Sequence, residues 1–90
     1  MTEFRWLNEQ GVESPRGFAV QFTGRFTAEY REAGRILVVD VESGVSGGKS
    51  AICYSGSAFR SWSSDPIEQQ RVSDNFKSAI VFQGLVPVSD

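Results

Sequence analysis

Ninety residues make one small domain, because domains run to about 100–150 residues and this length does not divide into two. There is no His and a single Cys, Cys53, so Ser-His-Asp and Cys-His nucleophile pairs, a cysteine zinc site and an internal disulfide framework are excluded. Nine basic residues against eleven acidic ones give a net charge of −2, with Arg and Glu interspersed, which points away from nucleic acid and anionic membranes as partners.

The chain opens MTEFRWLNEQ, with Glu3 and no apolar run of the signal-peptide kind, so a cytoplasmic protein is expected. Its longest apolar run, residues 36–39, is far short of the ~20 needed to cross a bilayer. Phe4 and Trp6 begin a short strand, and residues 8–17 read as a loop on their Gly and Pro content. Phe18, Val20 and Phe22 then share one parity; Gly24 bends the run, and Phe26, Ala28 and Tyr30 resume it.

Ala33-Gly34 lies between two alternating runs; as a two-residue hairpin turn it sets Glu32 against Arg35, while Ala is not favoured at the first position of a type I′ turn and a longer loop with a bulge is the alternative. Tyr30 then faces Leu37, Ala28 faces Val39 and Phe26 faces Val41, all apolar, while the other face pairs Arg31 with Ile36, Glu29 with Val38, Thr27 with Asp40 and Arg25 with Glu42. A slip of one residue would turn Leu37, Val39 and Val41 away from the aromatic row.

Residues 43–48 read as a loop and residues 49–54 as a strand whose inward parity is open, with Ile52 and Tyr54 favoured over Ala51 and Cys53. Residues 58–62 form a short extended piece. Asp65-Pro66-Ile67-Glu68 is a helix start, with Asp as N-cap, Pro at the first helical position and Glu68 closing a capping box. The helix runs from Pro66 to about Phe82 with Ile67, Val72, Phe76, Ala79 and Ile80 as its apolar stripe, and Gly84 ends it. Leu85, Val86 and Val88 follow as a terminal strand that Pro87 confines to an edge.

Several motifs carry chemistry on paper. Gly48-Lys49-Ser50 matches the end of a phosphate loop, but Ser43 stands where the first Gly is required and a strand follows where a helix is needed. Asp40 and Glu42 share a strand face, as a metal-holding pair or as part of a solvated surface. Cys53 reads as a buried thiol in an apolar strand rather than a reactive one. Trp6, and Trp62 with Arg60, are either core residues or anchors for a partner, since Trp and Arg dominate interface hot spots.

Gly34-Arg35, Glu42, Gly47-Gly48, Trp62, Pro66-Ile67 and Phe82-Gln83-Gly84 together resemble one of the small immunity-protein families of bacterial polymorphic toxin systems. The resemblance runs from Gly24 to the C-terminus. It implies a cytoplasmic protein that neutralises a cognate toxin by binding it, without chemistry of its own.

The reading is therefore an α+β protein: a single antiparallel sheet of about four to six strands, with one principal C-terminal helix on one face and a short terminal strand. The expected function is a non-enzymatic protein-binding module without cofactor or metal, whose candidate contacts are Arg60, Trp62, Arg25 and Glu42. The alternatives are a structural or assembly subunit, of phage or secretion type, that self-associates through an edge strand, and a carboxylate enzyme with a metal at Asp40 and Glu42.

Overall fold

The computed structural model describes residues 4–89; Glu3, part of the leader argument, lies outside them. Seven strands lie in sequence order across one sheet: β1 (Arg5–Asn8), β2 (Gly11–Glu13), β3 (Phe18–Phe22), β4 (Thr27–Glu32), β5 (Arg35–Ser46), β6 (Lys49–Tyr54) and β7 (Val86–Ser89). One main helix, α1 (Pro66–Phe82), connects β6 to β7. The architecture is α+β, but with seven strands rather than four to six and a mixed rather than antiparallel sheet, because β7 pairs parallel to β6. A parallel neighbour needs a long crossover, which α1 supplies. The helix is thus a connection inside the sheet order and not a terminal layer.

The β4–β5 register is the expected one, with Glu32 opposite Arg35, Tyr30 opposite Leu37 and Ala28 opposite Val39. Ala33 (φ 53°) and Gly34 (φ 78°) both take positive φ, as a type I′ turn requires. The row extends further than the hairpin: Val12 opposes Val20, Val20 opposes Tyr30 and Tyr30 opposes Leu37, and all four side chains are buried. Each contributes about 1.5–3 kcal/mol by leaving water. Val12 belongs to the segment read as a loop, which contains β2 because a fully buried apolar residue outweighs the Gly and Pro around it.

Three further readings are corrected. Phe26 keeps its place opposite Val41, whose N–H donates to its carbonyl at 2.8 Å, but its side chain does not join the inner row: residues 24–26 form a tight loop closed by Thr23 N–H donating to Thr27 O at 3.1 Å, and Phe26 is 60% exposed. Residues 43–48 are not a loop, since β5 continues to Ser46 and turns only at Gly47 (φ 57°) and Gly48 (φ 81°). Residues 58–62 are not extended; a 3₁₀ helix spans Gly56–Ser61, with the Ser55 side chain accepting from Ser57 N–H. On β6 the favoured parity holds, as Ile52 and Tyr54 are buried, and Ala51 is buried with them.

The helix begins and ends where its signals place it. Asp65 Oδ1 accepts from Ile67 N–H at 2.9 Å, while Glu68 leaves the capping box and binds Arg71 instead. At the other end Gly84 (φ 83°) sets up paired bonds from Leu85 N–H to Ile80 O and from Gly84 N–H to Val81 O, a Schellman turn. Val72, Phe76, Ala79 and Ile80 are fully buried, whereas Ile67 of the expected stripe is 78% exposed, because at about 100° per residue it falls on the face of the helix opposite Phe76. Phe76 packs edge-on against Tyr54 and Phe59, with ring centroids at 5.0 and 5.5 Å, and these rings form the centre of the core.

Candidate partner-binding surface

The four candidate contacts separate into two places. Trp62 follows the 3₁₀ helix and is only 5% exposed, so it is a core residue and not a surface anchor. Its ring meets Tyr30 edge-on at 5.3 Å, and the Arg35 guanidinium lies 3.9 Å above it while also donating to the Trp62 carbonyl. Arg60, two residues earlier, is exposed. Arg25 and Glu42 do not pair across β4 and β5 as expected, because the bond from Val41 N–H to Phe26 O is the last between the two segments and Arg25 lies in the loop beyond it.

A network invisible to sequence reading ties the helix to the sheet beside Trp62. Arg71 donates from Nη1 to Glu32 Oε2 at 2.9 Å and from Nε to Glu68 Oε1 at 2.6 Å. Tyr30 donates to Glu32 Oε1 at 2.6 Å and accepts from Asn75 at 3.0 Å. Burial pushes on the Glu32 carboxyl toward a higher pKa, but the bonds from Arg71 and Tyr30 overcome it and hold the group below the usual carboxylate range. Arg71 hydrogen bonding does the same for Glu68. The buried Trp62 indole N–H has no hydrogen-bond partner among the described residues. Burial raises the Tyr30 phenol well above its ordinary value. With Arg71, Glu32, Glu68, Tyr30 and Asn75 bonded to one another, this cluster is a structural clasp.

The bend of β5 is different in kind. Residues Arg35–Asp40 pair with β4 and residues Val41–Ser46 pair with β6, so the strand passes from one half of the sheet to the other. A groove of about 410 Å³ opens there, walled by Phe26, Asp40, Glu42, Cys53 and Ser55. A second hollow of about 360 Å³ is lined by Phe22, Arg25, Ser43, Ile52 and Leu85, and the two meet at Val41. Arg5, Arg31 and Arg71 are each matched by a glutamate, yet among the described residues Arg25, Asp40, Glu42 and Arg60 make no side-chain ion pair or hydrogen bond.

Two carboxylates, an exposed phenyl ring and a concave wall can receive a cationic side chain, by charge and by cation–π attraction. For a metal the site is thin, because no group of three or more acidic, Cys or His side chains converges among the described residues. Phe26 was missed in the sequence because its parity assigned it to the core. No described helix is long and apolar enough to cross a membrane. Comparison with models of known protein families, with curated proteins and with solved structures finds no match to this chain.

Proposed function

We propose that the chain is a non-enzymatic protein-binding module that uses the bend of β5 as its contact surface. The observation that carries this is the set of unengaged charges, Arg25, Asp40 and Glu42, beside exposed Phe26 at two adjoining hollows. Charged groups held at a rim steer association and fix register, while a neighbouring aromatic supplies contact area. The resemblance to immunity proteins supports a cognate toxin domain as the partner and the cytoplasm as the place of action. The partner then presents a basic side chain to Asp40 and Glu42.

Affinity capture from the host's lysate, at low and high salt, identifies the partner. Asp40→Asn with Glu42→Gln is expected to weaken that complex about tenfold, chiefly through slower association and a shallower salt dependence. Undiminished binding by that variant refutes the assignment of the surface. Arg60→Ala tests the other exposed candidate independently.

A second reading, self-association as an assembly subunit, is favoured by a separate patch where β1 meets the end of α1. Trp6, 51% exposed, lies with its ring centroid 6.0 Å from that of Phe82, and Leu7 and Val81, their sequence neighbours, are also exposed. Sedimentation over a wide concentration range decides it, since a constant monomer mass removes this reading.

A further inference from the structure

We infer that the partner engages this surface by adding a strand to the open edge of β5; the inference rests on the binding reading and specifies its mode. β5 has twelve residues and β4 only six, so the two strands cannot stay paired along their length. The Thr23–Thr27 closure turns the chain back, and the last bond from that side is Val41 N–H to Phe26 O at 2.8 Å.

In an extended strand, alternate residues direct N–H and C=O to the same side. Val41 directs its pair away from β6, so Ser43 and Val45 do likewise, and no described residue takes those groups. Both residues are exposed, Val45 by 79%. An unpaired strand edge is a template for another strand.

The hollows at this edge specify the occupant by charge. Side chains of an added strand alternate between two faces. One set meets unpaired Asp40 and Glu42 with Phe26; the other meets Phe22, Ile52 and Leu85 with unpaired Arg25 beside them, where an apolar side chain fits and a second basic one does not. The occupant is therefore an extended segment of a partner protein that alternates basic and apolar residues.

The test titrates the isotope-labelled full chain with a blocked peptide of alternating Val and Lys, and with the same peptide N-methylated along its hydrogen-bonding edge. Binding is expected to shift the Ser43 and Val45 amide resonances and to slow their hydrogen exchange about tenfold; the N-methylated peptide is expected not to bind. Ser43→Pro removes an N–H that β6 does not use, so it should leave the melting temperature within a few degrees while lowering peptide affinity about tenfold. Equal binding of both peptides, shifts confined to another surface, or amides already protected in a self-paired dimer overturn the inference. With the captured partner, loss of affinity on substituting Asp40 and Glu42 but none on Ser43→Pro refutes strand addition and keeps the binding surface. Indifference to both substitutions refutes the surface itself.

Discussion

Truncating Trp62 to Ala separates a core tryptophan from an interface one. A Trp side chain buries about 150–250 Å², which at about 25 cal/mol per Å² corresponds to roughly 4–6 kcal/mol. Compactness of the unfolded chain and the Cβ that Ala retains reduce this, so a loss of about 4 kcal/mol is expected, within the range for large-to-small core changes. The edge contact with Tyr30 and the stacked Arg35 place it no lower. Against a total stability of about 5–15 kcal/mol, the variant should be folded but marginal. Urea unfolding followed by far-ultraviolet circular dichroism measures it, as a lower midpoint at unchanged slope. Arg60→Ala, on the exposed side of the same segment, is expected within about 0.5 kcal/mol of the parent. A Trp62→Ala loss below about 1.5 kcal/mol would refute the placement of the ring in the core.

Glu32 gives the fold an acid limb: its carboxyl titrates lower folded than unfolded, so its contribution is complete above the unfolded value near 4.5 and disappears as pH falls through the lower folded value. Glu32→Gln should therefore cost about 1 kcal/mol at pH 7 and progressively less in acid, read from urea midpoints across pH. Ala33→Gly relieves a positive φ that no other described non-glycine residue adopts, and should raise stability by about 1 kcal/mol in thermal unfolding. Gly11→Ala would bring a Cβ to 2.9 Å from Gln21 Cβ and 3.2 Å from its Cα, so a loss of about 1–3 kcal/mol is expected in the same assay. An unchanged midpoint would show that β2 and β3 separate readily.

Local signals were legible where one residue type has one physical use. Asp65-Pro66 and Gly84 set both ends of α1, and the apolar match of Tyr30 with Leu37 and Ala28 with Val39 set the hairpin register. Parity misled where the chain leaves the sheet: Phe26 continues the even run on paper, but the Thr23–Thr27 closure carries it into the loop. Ser43, Gly44 and Ser46 have weak strand preference, so the second half of β5 is held by its ladder with β6 rather than by its composition. The site was half legible: Arg25 and Glu42 were named as a cross-strand pair, whereas their relevance comes from being left unpaired by that departure. Arg71 and Glu32 are 39 residues apart, and no periodicity links a helix position to a strand position.

The order of the strands also dictates how the chain can assemble. From β1 to β6 each strand pairs with its predecessor across a short turn, so every closure brings together residues already near in sequence. β7 has no such neighbour; it reaches β6 only after the segment 55–85 has been laid across the sheet, α1 included. Pairing of β7 with β6 is therefore tied by connectivity to the seating of α1, and the two are expected to exchange their protection together in native-state hydrogen exchange.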